Sequence, residues 1–158
     1  MSEEILAKKK EYFKVIPAVY LVLIKNGKIL MLRRANTGFE DGNYSLPAGH
    51  LDGGETARQA MVREAVEEIG IVVKIEDLDL VHALHRDCKS HERIDLFFTA
   101  KQYGGTPTNC EPNKCDDLSW FYINNLPSNT IPYIRQVVEK VAAKEPYSEE
   151  GWDENQEN

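Results

Sequence analysis

Apolar positions along the chain fall into short runs divided by turn-forming residues. Val15 to Ile24 is almost continuously apolar and predicts a buried strand. Asn26-Gly27 follows, a pair suited to a two-residue hairpin turn whose central positions need positive φ. Lys28 to Arg33 (KILMLR) then reads as the partner strand. Ala35 to Tyr44 reads as a loop, Ser45-Leu46-Pro47 as a short extended piece, and Ala48 to Gly54, with its three glycines, as a turn-rich loop. From Thr56 to Ile69 the period changes: Ala57, Ala60, Met61, Ala65 and Ile69 form one apolar stripe of a helix. Thr56 and Gln59 have capping-box spacing at its start, and Gly70 stands at its end.

Three more strands are predicted, at Leu78 to His85, Ile94 to Tyr103 and Leu118 to Ile123. A second helix, Ile131 to Ala143, carries Ile134, Val137, Val138 and Val141 on one face. Glu145 to Asn158 is acidic and polar, and is expected to fray. There is no internal repeat. Mixed strands flanked by two helices imply an α/β layered fold, with an N-terminal extension over 1–12, one domain over 13–144 and a disordered tail over 145–158.

Composition narrows the function classes. The 158 residues suffice for a single domain that buries roughly 70% of its unfolded surface. The net charge of −7 and pI near 5.1 disfavour a large nucleic-acid surface or an anionic-membrane surface. They allow a small anionic substrate, provided local basic residues and a cation line the site. Cys88, Cys110 and Cys115 are odd in number and form no disulfide framework, which fits a reducing, cytoplasmic setting. Met1 to Tyr12 is charged and reads as no signal peptide, and no apolar run reaches the ~18 residues of a membrane helix.

The candidate chemistry lies on the first helix. At about 100° per residue, Glu67 falls about 60° to one side of Glu64 and Glu68 about 40° to the other. The three carboxylates share one face. Like-charged pairs at these spacings cost roughly 0.2–0.5 kcal/mol each on a bare helix. A hard cation removes that cost and prefers oxygen ligands. A solvated acidic face would show the same spacing. The preceding loop favours the metal: Gly49, Gly53 and Gly54 let the backbone turn sharply and approach a ligand.

Gly49 to Ile71 reads GHLDGGETARQAMVREAVEEIGI. It resembles the Nudix box: Gly, five residues, Glu, seven residues, Arg-Glu, an aliphatic residue, any residue, Glu-Glu, any residue, Gly, aliphatic. Gly49, Glu55, Arg63, Glu64, Glu67, Glu68, Gly70 and Ile71 match. Ala65 stands where the family usually has Leu, Ile or Val, a change expected to alter packing rather than chemistry.

The resemblance implies a Nudix-type α/β/α sandwich, with a mixed β-sheet between helices. It implies Mg2+-dependent attack of water on phosphorus, with Mn2+ as a substitute. Glu67 and Glu68 are the implied metal ligands, Glu64 a ligand or the general base, and the Gly49 carbonyl a backbone ligand. Arg63 is expected to hold Glu64, and Glu55 to pair with Arg63. Lys28 to Ala35 resembles the strand leading to the phosphate-binding arginines of MutT-type members; Arg34 is the first candidate and Arg33 the second. Glu111, in Glu111-Pro112-Asn113-Lys114-Cys115, resembles a distant-loop carboxylate of a MutT-like nucleoside triphosphate diphosphatase branch and is a further candidate ligand or base. Trp120 and Phe121 read as core strand residues rather than base-stacking platforms. Asn129 is either a nucleobase contact or a cap for the second helix.

His82, His85, Cys88 and His91 recur every third residue, but strand geometry scatters them over both faces and argues against zinc. The leading expectation is a nucleoside triphosphate, oxidised or non-standard ones included, cut to monophosphate and pyrophosphate. The alternative is an ADP-ribose or nucleotide-sugar pyrophosphatase. Such members usually carry a proline about sixteen residues after the box glycine, where this chain has Arg86. A non-catalytic nucleotide-binding domain is disfavoured because all four box glutamates are present. RNA cap removal lacks a basic track. A small nucleotide is the expected partner, and the resemblance also allows a homodimer.

Overall fold

The computed structural model describes residues 10–153. Strands β1 (Ile16–Leu21), β2 (Ile24–Lys25), β3 (Lys28–Arg34), β4 (Tyr44–Ser45) and β5 (Ala48–His50) precede helix α1 (Ala57–Ile69). A short 3-10 turn (Ile75–Asp77) leads into β6 (Leu78–Asp87) and β7 (Glu92–Ala100). β8 (Cys115–Tyr122), α2 (Pro132–Ala142) and β9 (Tyr147–Glu150) complete the described chain. Five strands form one sheet in the order β5-β1-β7-β6-β9, parallel at β1/β7 and β6/β9 and antiparallel elsewhere. β3 pairs antiparallel with β2, β4 and β8 in a second sheet.

The pleat of β1 divides the core. Ala18, Tyr20 and Val22 pack with Ile134, Val137 and Val138 of α2. Val19, Leu21 and Leu23 pack with Ala60, Met61, Ala65 and Ile69 of α1. Side chains alternate across a strand, so the two helices cover opposite faces, and the α/β/α sandwich with a mixed sheet is the observed architecture. Ala65 is fully buried in the α1 cluster.

Helix α1 begins where its capping box predicts. Thr56 Oγ1 accepts from the Gln59 N–H at 3.1 Å, and Gln59 Oε1 accepts from the Thr56 N–H at 2.8 Å. Gly70 ends it in the left-handed region at φ 68°. Pro132 opens α2, where its missing N–H costs nothing. Trp120 and Phe121 are half-buried against the two core clusters, as core strand residues.

Several expectations need correction, among them Ala48–His50, a strand paired with β1 where a loop is predicted. The first strand was expected to run from Val15 to Ile24, but β1 ends at Leu21, because the chain changes sheets there. Val22 N–H donates to Phe98 O of the first sheet, while Leu23 O accepts from Leu30 N–H of the second. The last strand begins at Cys115 rather than Leu118. The tail from Glu145 was expected to fray, yet Tyr147–Glu150 pairs parallel to β6. His82, buried on β6, holds it there: one ring nitrogen meets Glu145 O and the other Ser148 Oγ, each at 2.7 Å. Trp152 Nε1 donates to His85 O at 3.1 Å. Residues 154–158 of that tail, and 1–9 of the predicted extension, lie outside the described residues. Among the described residues, no helix is long and apolar enough to cross a membrane.

Candidate active site

One cavity of about 850 Å³ opens between the two sheets and α1. Gly49, Glu64, Glu67, Glu68, Glu111 and Arg34 all line it. The carboxylates reach it by two routes. The helix period presents Glu64, Glu67 and Glu68 together. Glu111 comes from the loop before β8, which runs back along the end of α1: Thr108 N–H donates to Ile69 O at 2.9 Å and Cys110 N–H to Glu68 O at 3.0 Å. Those bonds satisfy carbonyls that a helix end leaves unpaired and place Glu111 next to the glutamate face.

Arg63 organises the wall. Its guanidinium donates to Glu55 Oε1 at 2.7 Å, Glu64 Oε1 at 2.8 Å and the His50 carbonyl at 3.1 Å. It also reaches Glu67 Oε2 at 3.4 Å. The Arg63 pairing holds Glu55 below the usual carboxylate range. Such a fork fixes the direction of the carboxylates it touches.

Glu68 is the most strained charge in the wall. Burial pushes its carboxyl up to about 8, against the Ala48 N–H that donates to Oε2 at 2.9 Å, and the charges of Glu64 and Glu111 push the same way. Burial also raises Glu64, despite Arg63. Among the described residues, no three carboxylate, imidazole or thiol groups converge as a ready metal cluster. The donor set nevertheless fits a hard divalent cation: oxygen ligands only, mutually repelling and partly desolvated. Gly49 adds a backbone cradle, since a Cβ there would overlap the Glu64 carboxyl.

The two candidate arginines separate. Arg34 lines the cavity, with Nε donating to Phe39 O at 2.8 Å and Nη2 to Thr37 Oγ1 at 3.1 Å. Arg33, its neighbour across a register shift, lies outside the lining and pairs with Asp116 at 2.7 Å. Asn129 neither lines the cavity nor caps α2. Its Nδ2 donates to Gly42 O at 2.8 Å and ties the α2 loop to the 36–43 loop. His82 and His85 are engaged with β9 and Glu92, respectively. Phe39, half-exposed, and the strand arginines Arg86 and Arg93 also line the cavity, although none stands out as a site residue in the sequence. A lone aromatic in a polar loop carries no periodic signal, and strand arginines show their partners only after pairing.

A NUDIX domain model matches residues 14–141, most of the chain. The chain belongs to the Nudix family. It is a Nudix hydrolase of MutT-like build. Its fold is similar to the MutT NUDIX hydrolase of Burkholderia pseudomallei, with TM-score 0.74 and 25% identity over 81% of this chain and 98% of that one. The MutT protein of Methanosarcina mazei shares the fold at TM-score 0.71 and 20% identity, over 85% of this chain and 98% of that one. Among curated relatives, the ADP-ribose pyrophosphatase of Methanocaldococcus jannaschii is 34% identical over 123 residues, 77% of this chain and 70% of that protein. The NAD-capped RNA hydrolase NudC of Chromobacterium violaceum is 31% identical over 121 residues, again 77% of this chain but only 43% of its own length.

Proposed function

We propose that this Nudix hydrolase cuts the phosphoric anhydride of a nucleoside triphosphate, giving the monophosphate and pyrophosphate. The observation that carries the reading is one cavity in which Glu64, Glu67, Glu68 and Glu111 face the same space as Arg34. Glu67 and Glu68, with Glu64, Glu111 and the Gly49 carbonyl, would hold Mg2+, or Mn2+ in its place. When bound, the cation supplies charge neutralisation and activation of water.

The chain's own residues supply the rest. Arg34 binds phosphoryl oxygens, and its contacts to Phe39 O and Thr37 hold it in place. Arg63 orients Glu64 through Oε1. Glu64 Oε2 accepts no hydrogen bond among the described residues, which supports a role in taking a proton from the attacking water. The reducing, cytoplasmic setting belongs to the same proposal, supported by three free thiols.

The test is a panel of nucleoside triphosphates, nucleotide sugars and dinucleotides with magnesium, with products separated by ion exchange. Monophosphate with pyrophosphate from a triphosphate is expected. Diphosphate with orthophosphate refutes the bond assignment. A second reading, ADP-ribose hydrolysis, draws support from the 34% identical archaeal relative of that name. The same panel separates the two.

A further inference from the structure

The cavity has a second charged region, on the first sheet, whereas Arg34 stands on the second. Arg86 on β6 and Arg93 on β7 are cross-strand partners in the antiparallel register. Like charges directly opposite on neighbouring strands are destabilising. Both are held by one carboxylate, Asp95, two residues along β7 and so on the same face as Arg93. Arg86 Nε donates to Oδ2 at 2.6 Å and Arg93 Nε to Oδ1 at 3.3 Å. Asp95 is fully buried and Arg86 is 6% exposed.

Two guanidinium groups share one carboxylate, so the cluster keeps a surplus positive charge. A buried charge without a partner is strongly destabilising unless something offsets it. His50 does not: its Nε2 meets Arg93 Nη1 at 3.1 Å, so the ring serves as a neutral acceptor. Arg86 is also rigid. Its guanidinium lies 3.8 Å above the Tyr133 ring, and the Tyr133 hydroxyl is hydrogen-bonded to that of Tyr20. The terminal nitrogens of Arg86 donate to no acceptor among the described residues, where no buried side-chain polar atom is left without a partner. They therefore open into the cavity, which Arg86 and Arg93 line together with Glu64 and Glu68.

We propose that Arg86 and Arg93, clamped on Asp95, form a second anion subsite that takes the phosphoryl group lying beyond the scissile bond. The subsite deepens the proposed function and rests on it for the word scissile. It selects substrates with a further phosphate on the leaving side over those whose leaving side ends in a neutral sugar. A planar fork held by packing is preorganised for two phosphoryl oxygens, so little entropy is lost on binding.

The test is calorimetric titration of inorganic pyrophosphate into the full chain without added metal, wild type against Arg86→Gln. A loss of affinity of about tenfold is expected. Equal affinity in a variant with a cooperative unfolding transition overturns the subsite. Should Arg86→Gln fail to fold, the wild-type chain is read instead: the Nε–H resonance of Arg86 is expected to shift on pyrophosphate titration, and an unmoved resonance overturns the proposal. The two readings fail separately. Pyrophosphate binding through Arg86 with no hydrolysis of any triphosphate removes the proposed reaction and leaves the subsite. Hydrolysis with unchanged pyrophosphate affinity does the reverse.

Discussion

Gly49 and Glu64 occupy a space that admits only one side chain. A Cβ at position 49 would lie 2.0 Å from Glu64 Cδ and 2.1 Å from its Oε1. The atoms in conflict belong to the end of a flexible side chain, so Gly49→Ala is relieved by displacing the carboxylate rather than the backbone. The expected stability loss is about 1 kcal/mol. The expected loss in kcat is about 10²-fold, because a small misplacement of a reacting group is enough. Thermal unfolding beside steady-state kinetics checks this; a variant as active as wild type shows that the Glu64 position is not critical.

Glu67→Gln is expected to remove most turnover while leaving the fold intact. Glu67 is exposed on α1, and among the described residues its side chain meets Arg63 at 3.4 Å and no other charged partner, so little packing is lost. The lost charge is one the proposed cation needs. Near-wild-type turnover at saturating magnesium would falsify its assignment as a ligand.

Glu68 couples stability to pH. Its carboxyl is raised from 4.5 to about 8, above its unfolded value, mainly by burial. The folded state therefore holds a proton that the unfolded state has lost, and metal-free stability falls as pH rises from about 4.5 through 8. Glu68→Gln keeps an acceptor for the Ala48 N–H and removes the charge. In EDTA at pH 9 it is expected to melt about 2–4 °C above wild type per kcal/mol gained, while activity with magnesium is lost. Identical melting curves in EDTA across pH 5 to 9 exclude the coupling.

Ser148→Ala tests the last strand. The change leaves one nitrogen of buried His82 without its partner, which costs about 1–3 kcal/mol. Differential scanning calorimetry is expected to show a lower Tm with unchanged kcat, since neither residue lines the cavity. An unchanged Tm indicates that β9 contributes little to stability.

Several parts of this molecule are legible before folding. Thr56, Gln59 and Gly70 mark both ends of α1 through interactions within one turn, and the apolar stripe of α1 follows the helix period. The strand at Tyr147–Glu150 was not legible, because it is four residues long with no apolar alternation and its pairing uses backbone groups that every residue carries. Arg33 and Arg34 are equivalent by residue type. Strand alternation and a register shift at that point send one to Asp116 and the other to the cavity.

The grouping of Glu64, Glu67 and Glu68 was settled by sequence alone, because helix periodicity is a local property that needs only neighbouring residues. Glu111 was a candidate by resemblance, but only tertiary structure brings it to them, spends Asn129 on Gly42, and makes Arg86 and Arg93 meet over Asp95. Each of those depends on strand register or loop path between residues distant in the chain. Composition and spacing carry no record of register; it is set when apolar faces are buried and backbone groups pair.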